Sequence, residues 1–321
     1  MRQETIYLSD TMLKKIFSIN LLAAVTGLII SPTVPVFALT SPPQTKQLEQ
    51  EIVTQDIQAA GYFQQGVTRY NSRDLEGAVV AFRQALERDP KIALAYYYLG
   101  NILSEKGQRE EAIAEYQRAL KINPNLAEAQ YNLGVLYYQK GRLDDAIDAY
   151  DRAIGINPDD ASAYYNLGII LFEEDRLEEA MVAYRQVIRL NPNHANAYYN
   201  LGIALEKQGD LEAAMNAYRK AIDLNPNLVG AYNSLGNILT RQNQPLEAIA
   251  VYKEAINRQP RDANAYYNLG VVLYYQEQFN DALSPLRKAR DLYRSQNNFD
   301  KAAEVDGLIQ QINILRRQPR N

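Results

Sequence analysis

Six prolines set the terms on which this chain can fold. Pro90, Pro124, Pro158, Pro192, Pro226 and Pro260 follow one another at intervals of 34 residues. With each proline taken as position 32 of a unit, seven units begin at Ala59, Ala93, Ala127, Ala161, Ala195, Val229 and Ala263. Position 8 is glycine in all seven: Gly66, Gly100, Gly134, Gly168, Gly202, Gly236 and Gly270. Position 20 is alanine in all seven: Ala78, Ala112, Ala146, Ala180, Ala214, Ala248 and Ala282. A fixed period of this length marks stacked units, because one such unit cannot bury its apolar face alone.

Within a unit the pattern predicts two helices. Positions 4, 7, 8 and 11 share one face at helical spacing, as in Tyr96, Leu99, Gly100 and Leu103. Positions 20, 24, 27 and 28 share a face of a second helix, as in Ala112, Tyr116, Ala119 and Leu120. Gly107, Gly141, Asp175, Gly209 and Asn243 stand between them, residue types that tolerate the left-handed conformation ending a helix. Acidic pairs such as Glu110–Glu111 and Asp144–Asp145 open the second helix, where the helix dipole favours negative charge. The proline closes the unit. Glycine in a helix interior costs roughly 1 kcal/mol relative to alanine, so its repetition predicts close helix contact at position 8.

The pattern YxxLG at positions 4 to 8, Ala at 20, Tyr or Phe at 24, Ala at 27 and Pro at 32 resembles the tetratricopeptide repeat family. That resemblance implies an all-α fold, a right-handed superhelical solenoid of about seven helix-turn-helix units with a C-terminal capping helix. The units span 59–92, 93–126, 127–160, 161–194, 195–228, 229–262 and 263–294. Residues 295–321 hold the capping helix, Phe299 to Arg317, and a basic tail. The end units depart from the pattern. Gln65 replaces leucine in the first, and the last has Pro285 inside its second helix and Leu286 at position 24.

The N-terminus is of another kind. Lys14 and Lys15 precede an apolar run, Ile16 to Ile30, followed by Pro32, Pro35 and the small-residue ending of "VFA". This is the pattern of a secretory signal peptide over 1–38, with cleavage after Ala38, and Met1 or Met12 serves as the start. Residues 39–58 then form a linker and the approach to the first helix. The expectation is an exported chain, periplasmic or secreted. The alternative is a membrane anchor, should the apolar segment stay uncleaved. The chain has no cysteine, which excludes disulfides and thiolate chemistry. A net charge of −4 with mixed signs argues against a nucleic-acid partner, which selects a basic face.

Catalysis is poorly provided for. His194, the only histidine, falls in a loop after Pro192 and is expected to be an exposed loop residue. No nucleophile-elbow, zinc-binding or phosphate-loop motif is present. No cofactor, metal or catalytic residue is expected, and the chain is read as a non-enzyme.

Surface is what remains. Positions 2, 6, 9 and 13 lie opposite the core face of the first helix by the 100° step. The resemblance implies that this helix lines an inner, concave wall. Position 6 carries Asn132, Asn166, Asn200 and Asn268, and position 9 adds Asn101 and Asn237. Asparagine is a poor residue in a helix interior, and its amide both donates and accepts hydrogen bonds. A row of exposed amides would clasp the backbone of an extended peptide. Beside it, position 5 carries Tyr97, Tyr131, Tyr165, Tyr199 and Tyr267, and position 12 adds Tyr138, Phe172 and Tyr274. Positions 2, 5 and 6 hold no lysine or arginine, so a carboxylate clamp is not expected. The functional expectation is an adaptor or scaffold of the cell envelope that binds a protein or peptide in its groove. The alternative is a structural, self-associating envelope component with nothing in the groove.

Overall fold

The structure, a computed structural model, describes residues 54–317. The expected signal peptide, its cleavage point, most of the linker and the last residues of the basic tail lie outside these residues. Fifteen α-helices and no strand are found among the described residues, which is the all-α class the period predicts. They run α1 Ile57–Asn71, α2 Leu75–Arg88, α3 Ala93–Glu105, α4 Arg109–Ile122, α5 Ala127–Gln139, α6 Leu143–Ile156, α7 Ala161–Glu173 and α8 Leu177–Leu190. There follow α9 Ala195–Gln208, α10 Leu211–Leu224, α11 Val229–Arg241, α12 Pro245–Arg258, α13 Ala263–Tyr275, α14 Phe279–Ser295 and α15 Phe299–Arg317. Odd-numbered helices up to α13 are the first helices of successive units, and even-numbered helices are the second. No described helix is long and apolar enough to cross a membrane.

The turns form as the residue types require. Gly107, Gly141 and Gly209 take φ of +75°, +71° and +97° between their paired helices. Asp175 and Asn243 do the same with φ of +61° and +57°. Arg73 and Glu277 also adopt positive φ at this position, although their side chains offer no help there. Capping is local. Asp56, Asp160 and Asp262 each accept backbone N–H bonds at the starts of α1, α7 and α13.

The position-8 glycine has the role its spacing predicts. A Cβ built on Gly100 would come within 2.6 Å of the Tyr116 ring, and one on Gly134 within 2.8 Å of Tyr150. The aromatic at position 24 therefore lies flat against the backbone of its partner helix, and the methyl of alanine would already collide with it. The alanines at position 20 are fully buried. In the last unit Leu286 replaces the ring and lies 2.5 Å from the Cβ that Gly270 lacks.

The chain divides into two compact units. One holds the described residues up to Leu235 together with Asn257–Pro260. Here each second helix also packs on the first helix of the next repeat, from α2 on α3 through α8 on α9. The other holds Gly236–Ile256 and the residues from Arg261 onward. In it α14 packs on both α13 and α15, and α15 buries Ala302, Val305, Ile309 and Ile312.

Candidate functional site

The first helices place position 6 on the seam between one repeat and the next. The asparagines there are not exposed, which corrects the sequence expectation. Asn132 and Asn166 are 0% accessible and Asn101 is 2%. Asn166 Nδ2 donates to the hydroxyls of Tyr131, at 3.0 Å, and Tyr150, at 3.3 Å, both in the preceding repeat. Asn132 Nδ2 donates to Asn101 Oδ1 at 3.0 Å and to the Tyr116 hydroxyl at 3.3 Å. Tyr116 in turn donates to Asn101 Oδ1 at 2.6 Å. Asn200 Nδ2, half-buried, donates to the Tyr165 hydroxyl at 3.1 Å. Tyr97, Tyr131 and Tyr165 are themselves buried.

The physical reason lies in the tyrosines. Positions 5 and 24 bury a phenol in each central repeat, and a buried polar group without a partner costs about 1–3 kcal/mol. At Asn132, Asn166 and Asn200 the amide at position 6 of the next repeat donates to at least one of these hydroxyls, so these asparagines join neighbouring repeats. Burial pushes the Tyr131 hydroxyl up to about 12, and those of Tyr116, Tyr150 and Tyr184 well above the usual phenol range. All four stay neutral at physiological pH. Where asparagine is absent, Ser234 bonds to Tyr199 and Tyr218. In the second compact unit Asn237 Oδ1 accepts from Tyr252 at 2.7 Å, and Tyr267, half-buried, donates to Glu304 at 2.6 Å. Asn268 is half-buried there.

Two turns further along the same helices the side chains reach solvent. Tyr138 donates to Glu173 Oε1 at 2.7 Å, and Tyr70 to Glu105 Oε1 at 3.1 Å. Lys207 Nζ stands 5.0 Å from the centre of the Phe172 ring. Three of the four aromatics at position 12 meet a charged residue at position 13 of the next repeat, and Tyr274 packs instead against Tyr275 and Phe279. Tyr138 and Phe172 are half-buried, while Glu105, Glu173 and Lys207 are exposed. Burial, and then the Glu173 carboxylate beside it, hold the Tyr138 hydroxyl above its usual range. This accessible row offers aromatic walls and both signs of charge, which suits recognition of a polypeptide.

His194 is also not the exposed loop residue expected. It is half-buried, and its Nδ1 accepts the Ala197 N–H at 3.1 Å, so it is the N-cap of α9. Its ring lies 4.8 Å from that of Tyr165. Burial lowers its proton affinity below the ordinary histidine value. Among the described residues no group of three or more histidine, aspartate or glutamate side chains is placed to hold a metal ion.

A family model described as the C-terminal domain of cilia and flagella-associated protein 70 matches residues 22–258. A tetratricopeptide-repeat model matches residues 227–295. Among solved structures the chain is similar to YrrB, described as "a TPR protein with an unusual peptide-binding site". The two are 25% identical at a TM-score of 0.53, over 58% of this chain and 95% of YrrB. It is similar to the MamA protein at 32% identity and a TM-score of 0.50, over 53% of this chain and 93% of MamA. PilF of Pseudomonas aeruginosa shares the fold, with 22% identity and a TM-score of 0.54, over 67% of this chain and 97% of PilF. A comparison with curated proteins finds no match.

Proposed function

The chain belongs to the tetratricopeptide-repeat family of the C-terminal domain of cilia and flagella-associated protein 70, and we propose that it is an adaptor of the cell envelope that binds an extended peptide along its first-helix face. The observation that carries the reading is the accessible row at positions 12 and 13, where Tyr138 and Phe172 stand beside Glu173 and Lys207. Tyr199 and Asn200, half-buried on the same helices, extend it. In the second compact unit Tyr267 and Asn268 occupy the same positions 5 and 6, and Asn237 stands at position 9, all half-buried. The buried residues Asn101, Asn132, Asn166, Tyr97, Tyr131 and Tyr165 support this surface from beneath and do not touch the ligand. The likeness to YrrB, with its peptide-binding site, supports a peptide as the ligand. The lysine–apolar–VFA pattern supports export, and cleavage would leave Leu39 as the first residue of the native chain.

The test is a pull-down from envelope extract with the parent chain and with Tyr138→Ala combined with Phe172→Ala. The reading expects a defined protein from the parent and at least a tenfold weaker interaction with the variant, about 1.4 kcal/mol. Equal recovery by a folded variant would remove the first-helix face from consideration. Mass spectrometry of the native N-terminus tests the location separately.

A further inference from the structure

We propose that the cleft between α4, α5 and α6 is a second binding site, which receives an aromatic side chain from a partner polypeptide. The cleft lies on the side of the second helices of repeats 2 and 3 and contains none of the position-12 and position-13 residues. It therefore goes beyond the peptide-binding surface above.

The repeats themselves supply the control. Position 4 is tyrosine in six units, as Tyr62, Tyr96, Tyr164, Tyr198, Tyr232 and Tyr266, and glutamine only in the third, at Gln130. The equivalent cleft one repeat later is walled by Tyr164 and measures about 320 Å³. The cleft walled by Gln130 measures about 570 Å³, within the range of 300–1,000 Å³ usual for ligand sites. The third repeat thus lacks a ring that its neighbours provide for themselves.

The lining indicates what replaces that ring. Leu120, Leu133 and Ile156 make its walls apolar. Tyr137, at a position where five other units have leucine, adds an aromatic wall. Its hydroxyl accepts from Gln117 Nε2 at 3.0 Å, and the Arg142 guanidinium stands 4.4 Å from its ring centre. An incoming ring can pack offset or edge-on against such a wall. Gln130 is 8% accessible and lines the cleft. At the cleft wall its amide can both donate and accept, and a peptide group or a phenol matches both. The charged lining residues are balanced, Lys121 and Arg152 against Asp145 and Asp148, so charge selects neither a phosphate nor an acidic peptide. A neutral aromatic residue carried on a polypeptide is the occupant that meets all of these terms.

The test is a titration of N-acetyl-tyrosinamide into the full-length, methyl-labelled chain, with N-acetyl-leucinamide as comparator. Saturable shifts of the Leu120, Leu133 and Ile156 methyls are expected with the tyrosine probe, and at least several-fold weaker binding with the leucine probe. Gln130→Tyr restores the residue that six units hold and should abolish the response. Tyr137→Leu restores the residue that five units hold and should weaken it several-fold. Absent shifts, equal response to the two probes, or full response in either folded variant would overturn the proposal.

Discussion

The seam between repeats 1 and 2 and the seam between repeats 3 and 4 are built from the same three positions, with opposite chemistry. At the first, positions 5 and 24 are Phe63 and Phe82, and position 6 of the next repeat is Tyr98. The Tyr98 ring stacks on Phe82 at 5.1 Å and 11°, and meets Phe63 edge-on at 6.1 Å. At the other seam the two rings are Tyr131 and Tyr150, and position 6 is Asn166. Rings without hydroxyls are covered by a third ring, and rings with hydroxyls by an amide. At Asn132, Asn166 and Asn200 the residue at position 6 thus answers to the buried tyrosines of the preceding repeat, whereas Asn268 follows Asn233 and Tyr252.

Exchanging the two solutions breaks the comparison hardest. Tyr98→Asn should leave a cavity between Phe63 and Phe82 and bury an amide among rings. We expect a loss of about 3–5 kcal/mol, as for removal of a large buried ring, read by urea denaturation. A loss under about 1 kcal/mol would mean that position 6 is indifferent to its seam.

Gly134→Leu acts on the same seam from below. Its side chain would displace the Tyr150 ring, and with it the hydroxyl that Asn166 meets. Overpacking at such a contact costs about 1–3 kcal/mol, and loss of the bond places this variant at the upper end. Thermal melts against an exposed control such as Ser162→Ala check it, and equal melting temperatures would contradict close packing at position 8.

How far the molecule could be read from its sequence follows the same division. The helices, their turns and the position-8 contact were legible because each depends on residues inside one unit. Asn132 and Asn166 were misread because the 100° step measures a helix against its own partner, while the side that covers them comes from the neighbouring repeat. A signal was present: Asn132, Asn166 and Asn200 each follow tyrosines at positions 5 and 24, and Tyr98 follows two phenylalanines. His194 was misread for a related reason. It occupies position 34, where Asp160 and Asp262 are also caps, but a lone histidine does not advertise that role. Gln130 was visible as a break in a column of tyrosines, yet only the cleft volume gives the break a meaning.

A smaller effect sharpens the account of the ring Tyr165, against which His194 packs. The cap needs the neutral imidazole, whose Nδ1 lone pair accepts from Ala197. The folded chain lowers the histidine's proton affinity, so this contribution is present above the ordinary histidine value and is lost as pH falls through the lower folded one. Between neutral pH and about pH 5 the parent should lose more melting temperature than His194→Asn, which caps without titrating. Parallel losses would contradict the capping role.

The central claim is that the asparagine row joins repeats, and a double-mutant cycle at one seam tests it most directly. Urea melts would compare Asn166→Leu in the parent with the same change in a Tyr131→Phe, Tyr150→Phe background. The account predicts a loss of about 1–3 kcal/mol in the parent, where two buried hydroxyls lose their donor, and most of that loss recovered when the hydroxyls are absent. The same loss in both backgrounds, within about 0.5 kcal/mol, would contradict it.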